Sequence, residues 1–139
     1  MNLQPVIDRI KAQCSGFKVV GGAAEFDMAL QGAPAAPACY VIPQSEDADS
    51  STATSTYILQ TVTINFAIVY AVRNAKSSAG QEGIADLETL RAAVRTALLG
   101  WQIASNTKPI TFAGANLLDF QPGLMWWQDG FTTTHHIST

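Results

Sequence analysis

The stretch Tyr57–Val72 alternates so regularly between faces that it restricts the fold of this chain more than any other segment. Ile58, Val62, Ile64, Phe66, Ile68, Tyr70 and Val72 fall on one side of a period-two element, and Thr61, Thr63 and Asn65 fall on the other. The pattern predicts one long, half-buried strand. At roughly 3.3 Å per residue such a strand extends about 50 Å, more than the core of a small domain needs. Part of it is therefore expected to project and to pair with a neighbour.

The last third of the chain supplies a helix and a hairpin. Ile84, Leu87, Leu90, Val94, Ala97 and Leu98 form one apolar stripe, predicting a helix from about Gly83 to Leu99. Glu82, Asp86 and Glu88 lie near its start and Arg91 and Arg95 toward its end, the order that the helix dipole favours, and Gly100 is suited to cap it. Ile110–Phe112 and Asn116–Phe120 read as one strand interrupted near Gly114, with Pro122-Gly123 turning the chain into a last strand, Leu124–Ile137. In that strand Met125, Trp127, Phe131 and Ile137 share a face, while Trp126 lies on the other with Gln128 and Thr132. A tryptophan on a polar face implies a covered surface, and the cover is either another molecule or a helix or loop of the chain itself.

The N-terminal half is less regular. Leu3, Val6, Ile7, Ile10 and Cys14 recur at helical spacing, with Asn2 placed to cap and Pro5 in the first turn, where its missing N–H does no harm. Phe17–Val20 reads as a short strand broken by Gly21-Gly22, Ala23–Leu30 as a short helix, and Cys39–Ile42 as a second strand. Gln44–Thr56 contains Glu46, Asp47 and Asp49, is rich in Ser and Thr, and has no large apolar side chain. That segment is expected to be a flexible loop at about 44–56, either disordered or an arm that a partner orders. A second polar loop is expected at Arg73–Ser78. The predicted fold class is α+β, with one domain over 1–139. Its sheet is mainly antiparallel, of about four to five strands, with two principal helices packed on one face.

Composition removes several function classes. The chain has 139 residues and a formal charge of −3, and its eight Lys and Arg are scattered rather than gathered into a basic patch, which argues against direct nucleic-acid recognition. No run approaches transmembrane length, and Asp8, Arg9 and Lys11 interrupt the first apolar pattern, unlike a secretory signal. Cys14 and Cys39 form neither a CxxC pair nor a disulfide framework, so a reducing compartment and a buried structural role for Cys14 are expected.

The chemistry-bearing side chains are few. His135 and His136 are neighbours on a strand and point to opposite faces, which is unsuited to shared ligation of one ion. Gly21-Gly22 lacks the spacing of a phosphate-binding loop, and Glu46, Asp47 and Asp49 lack the glycine and terminal glutamate of a calcium loop. No catalytic, cofactor-binding or metal-ligating residue is assigned.

The order of segments resembles the tail terminator family of long-tailed phages, particularly its Mu-like branch. The resemblance is carried by Val19-Val20-Gly21-Gly22-Ala23-Ala24-Glu25-Phe26, Cys39-Tyr40-Val41-Ile42-Pro43, Val69-Tyr70-Ala71-Val72-Arg73-Asn74, Leu99-Gly100-Trp101 and Trp126-Trp127-Gln128-Asp129-Gly130-Phe131-Thr132-Thr133. Two features depart from the pattern. Gln102 follows Trp101 where proline is frequent, and the chain ends His135-His136-Ile137-Ser138-Thr139 rather than in aromatic and basic residues. The resemblance implies a structural, non-enzymatic virion protein, assembled in the host bacterial cytoplasm. It would form a homohexameric ring on the head-proximal end of the tail tube, stop tube growth and present a surface for the head.

Its implied partners are copies of itself, the tail tube protein and the head–tail connector or neck proteins. Membranes and cofactors are not implied, and DNA would only pass through the ring lumen. The contact residues expected are Ser45, Glu46, Asp47 and Asp49 in the first loop, Arg73, Asn74 and Lys76 in the second, and Trp126 and Gln128 at the sheet edge. Another neck or head-completion protein, a tail tube subunit and, more remotely, a Cys-dependent hydrolase are the alternatives.

Overall fold

Tyr57–Val72 forms a single strand at the centre of a mixed sheet. The computed structural model describes residues 1–32, 35–49, 52–54, 56–73, 81–121 and 123–139. Their elements run α1 (Gln4–Gln13), β1 (Val19–Gly21), α2 (Ala23–Gln31), β2 (Ala38–Ala48), β3 (Thr52–Thr54), β4 (Tyr57–Val72), α3 (Gln81–Leu98), β5 (Thr111–Gln121) and β6 (Leu124–Ser138). The strands lie in the order β1-β2-β4-β6-β5, with β3 also pairing β4. β1 is parallel to β2 and the other pairings are antiparallel. The expected α+β class holds, and none of the described helices is long and apolar enough to cross a membrane.

One face of the sheet carries the main core. Phe66, Ile68, Tyr70 and Val72 of β4 pack with Cys39 and Val41 of β2, Met125 and Phe131 of β6, and the apolar stripes of α1 and α3. Those stripes, Val6, Ile7 and Ile10 in α1 and Leu87, Leu90, Val94 and Leu98 in α3, are the ones expected from helical spacing. Asn2 serves the start of α1 by accepting the Gln4 N–H through Oδ1 at 2.9 Å. Arg9 locks the two helices together. Its Nε donates to the Ala97 carbonyl at 2.6 Å, and its guanidinium stands 4.7 Å from the centre of the Trp101 ring. Gly100 ends α3 with φ +80°, a left-handed conformation that costs glycine little.

The opposite face holds a smaller core. Ala38, Tyr40, Val69, Ala71 and Trp126 are buried there, with Phe26 of α2 packed against them. Phe26 meets the Trp126 ring edge-on at 5.8 Å and Tyr40 at 5.5 Å. The cover over Trp126 is thus the chain's own second helix. β4 is half-buried only up to Asn65, and from Phe66 to Val72 both of its faces are covered.

Where the loop at 44–56 is expected, the described residues 44–48 and 52–54 are strand instead. β2 continues to Ala48, pairing Ser45 with Asn65, Glu46 with Ile64, Asp47 with Thr63 and Ala48 with Val62 after a register shift between Pro43 and Ser45. β3 then pairs Thr52 with Leu59 and Thr54 with Tyr57. Backbone hydrogen bonds satisfy a strand whatever its side chains are, and the β2 residues 45–48 are exposed, so no apolar side chain is required of them. The hairpin expected at the C-terminus is present as β5 and β6, with register shifts at Gly114 and between Leu117 and Asp119.

Candidate assembly interface

Beyond the region covered by helices, the end of β2, β3, the start of β4 and the end of β6 form a projecting blade. Glu46–Ala48, Tyr57–Leu59 and His136–Ser138 are all exposed. Its polar side chains are tied to one another. Asn65 Nδ2 donates to Ser45 Oγ at 3.1 Å and to Asp47 Oδ2 at 3.0 Å. Asp49 accepts the Thr61 N–H through Oδ1 at 2.9 Å, and its carbonyl accepts Gln60 Nε2 at 3.0 Å. Glu46 lies 2.6 Å from the Met1 amino group, whose hydrogen bond and charge hold the carboxyl below its ordinary range. Thr139 closes the blade, donating its N–H to the Ile58 carbonyl at 3.1 Å and accepting the Ile58 N–H through Oγ1 at 3.0 Å.

Apolar side chains are displayed on the blade as well. Tyr57, Ile58, Leu59 and Ile137 are exposed although they are large and hydrophobic. By pairing parity Ile58 and Ile137 continue the face that carries the main core, and Tyr57 and Leu59 continue the other.

The expected contact residues separate into two groups. Ser45, Glu46, Asp47 and Asp49 share the β2 flank of the blade. Arg73 is exposed just past β4 at the opposite end of the sheet, near which Trp126 pairs with Ala71 and Gln128 with Val69. Gln128 is half-buried, whereas Trp126 is 7% exposed, so its ring is engaged by Phe26 and Tyr40 rather than displayed. Asn74 and Lys76 lie outside the described residues.

The residue that sequence reasoning missed is Asp129. It is wholly buried, and its carboxylate accepts Arg91 Nε at 2.9 Å, Tyr70 Oη at 3.1 Å and Trp127 Nε1 at 3.0 Å. Arg91 also pairs with Glu88 at 2.7 Å and stands 4.9 Å from the centre of the Trp127 ring. Burial opposes the Arg91 charge, yet its hydrogen bonds to Asp129 and Glu88 keep its pKa above the ordinary value. Burial and the Asp129 charge push the Tyr70 phenol up. The signal for this network was present in the sequence. Asp129 has the parity of Trp127 and Phe131 on the core face, and Arg91 falls on the stripe Leu87, Arg91, Val94, Leu98.

Among the described residues the cysteines are enclosed and the histidines lie apart from them. Cys14 and Cys39 are free, buried thiols whose pKa values burial raises. Among the described residues no group of three or more His, Cys, Asp or Glu is arranged to hold a metal ion. His135 and His136 pair with Val62 and Thr61 on opposite faces, and His136 Nδ1 lies 3.1 Å from Thr61 Oγ1. A cleft of about 320 Å³ near them is walled by polar side chains that include Gln102, Asn106 and Lys108.

The family model described as phage tail terminator protein matches residues 1–139. This chain belongs to the phage tail terminator family. No curated protein matches its sequence. Among solved structures, a chain in the virion of a native gene transfer agent (GTA) particle is similar at 18% identity and TM-score 0.60, covering 95% of this chain and 92% of that one. That likeness is one of fold. As a tail terminator family member the chain is a structural virion protein of the tail.

Proposed function

We propose that this protein forms a six-membered ring on the head-proximal end of a phage tail tube, ends tube polymerisation there and offers the head its joining surface. The reading is carried by the family match along the whole chain. The blade gives it a physical means, since a cyclic assembly needs two different complementary patches on each subunit, and projecting strands with open edges supply them. One ring face would copy the contacts that a tube subunit makes with the ring below it. The other would lack the surface that recruits a further tube ring, so growth stops by mismatch. The partners are then further copies, the tube protein and neck proteins.

The test is negative-stain microscopy of lysates from the parent phage with this reading frame disrupted. Overlong, headless tubes are the expected result. Tails of normal length without heads would assign the protein to another neck position, and intact infectious particles would overturn the structural reading.

A further inference from the structure

We propose that the outer edge of β5 is the seat of a second copy of this chain, bound head-to-tail; the inference rests on the ring reading. β5 ends the sheet, and among the described strands it pairs only with β6. Every residue from Thr111 to Asp119 is exposed. A long open edge is a template for pairing with another chain, and monomeric proteins usually blunt it with lysine, proline, several charges or bulges that twist it away. β5 has no Lys or Pro between Thr111 and Gln121, and Asp119 is its sole charge. β5 does carry register shifts at Gly114 and before Asp119, yet Thr111–Asp119 remain exposed across both.

The apolar content of this edge continues the core outward. Phe112 packs edge-on against the buried Phe131 at 5.7 Å, and Leu117 pairs with Trp127. Phe112, Leu117 and Leu118 nevertheless remain 41%, 48% and 44% exposed. Scattered exposed apolar side chains need no explanation, but a phenylalanine and two leucines on one exposed edge strand call for one.

Charge and size point to a second copy. The chain is net negative at −3, so copies repel wherever their charged surfaces meet. β5, with Asp119 as its one charge, and the blade tip, Thr56–Gln60 with Ile137–Thr139, are the least affected, since the tip has no acidic or basic side chain and displays Tyr57, Ile58, Leu59 and Ile137. Two different apolar patches of little charge on one chain are what a head-to-tail contact uses, whereas β5 paired with β5 would stop at a dimer. An edge of 11 residues is about 36 Å long. With side chains on both faces it approaches a standard patch of about 800 Å² per partner, roughly a tenth of the 7560 Å² surface.

A photo-crosslinker attached to Leu118→Cys tests this in purified tails, since both native thiols are buried and the label goes to the new one. The expected product joins two copies of the 14.8 kDa chain. A product with a different tail protein, or no product, overturns the inference. The doubly substituted Leu117→Lys, Leu118→Lys protein should keep its fold by circular dichroism and give overlong tails. Normal tails from that variant would overturn the β5 contact and leave the cap intact, whereas normal tail length on disruption of the whole frame would overturn the cap itself. Should the variant fail to fold, hydrogen exchange of the wild-type chain, free and in tails, decides. Slower exchange over 111–121 in tails supports the contact, and unchanged exchange overturns it.

Discussion

Arg91 Nη2 lies 2.8 Å from Asp129 Oδ1, joining the middle of α3 to the middle of β6 across the main core, where the Asp129 side chain has no exposure and that of Arg91 only 10%. A pair so enclosed is costly to break from one side, because the remaining charge loses its closest buried counter-ion and keeps only weaker compensation, Glu88 for Arg91 and the Tyr70 and Trp127 donors for Asp129. Asp129→Ala should therefore destabilise the protein by about 3–5 kcal/mol. Arg91→Ala should be comparably harmful, and the double variant should cost less than the two single losses together. Urea unfolding midpoints of the four proteins check this, and strict additivity would show that the pair is not coupled.

Trp126 contributes to stability from the other face. Its ring is held by Phe26 at 5.8 Å and Tyr40 at 6.4 Å, and α2 has no buried residue of its own beyond this partial anchorage. Trp126→Ala should cost about 3–5 kcal/mol, as for other large aromatic truncations. Phe26→Ala should cost less and act locally. In native-state hydrogen exchange the amides of 23–31 should lose protection while those of α1 and α3 keep theirs.

What the sequence revealed follows how locally each feature is encoded. β4 and α3 were legible because single apolar periods of two and 3.6 residues run through them, and the β5–β6 turn because Gly123 adopts φ +92° after Pro122. The outer half of β2 was not, since Ser45, Glu46 and Asp47 are held by backbone pairing to β4 and by Asn65, and bury nothing that a hydrophobic pattern could register. The cover over Trp126 required knowing that α2 folds back onto that face. Asp129 and Arg91 are 38 residues apart, and each reads separately as a surface charge until the parity of one and the stripe of the other are compared.

Gly100 terminates α3 at φ +80° with no atom within 4 Å of where a Cβ would stand. Gly100→Ala therefore meets no clash, and its cost is conformational, about 1–2 kcal/mol. The loss should be visible as a lower melting temperature with an unchanged far-ultraviolet spectrum. An unchanged melting temperature would mean that the cap tolerates a side chain.

The buried Cys39 and Tyr70 carry a pH dependence. Burial is the first cause of the upward shift of both, so each keeps its proton in the folded chain at pH values where the unfolded chain has lost it. The unfolded state then binds fewer protons, and the contribution of these two groups, level below about pH 8, should fall progressively from about pH 9 upward. Urea midpoints between pH 7 and 10.5 measure this. The same burial predicts that both thiols react with a disulfide reagent only as the protein unfolds, and rapid native-state labelling of Cys39 would contradict its enclosure.

Removing Asp47–Thr54 would shorten the blade without touching either core. Those residues include the tip of β2 and all of β3, and the side chains that pack the two cores lie outside them. The shortened chain should fold, because the α1–α3 packing and the pairing of β4 with β6 from Leu59 to Val72 remain available. What it loses is the second edge of β4 from Tyr57 to Thr63, and with it the tip's fixed shape. If the blade is the part that reaches a neighbouring subunit, the deletion should leave a folded monomer by circular dichroism that no longer forms rings on tail tubes in electron micrographs. Normal capping by this variant would remove the β2 end and β3 from the assembly surface and leave the β4–β6 tip and the β5 edge as its two patches.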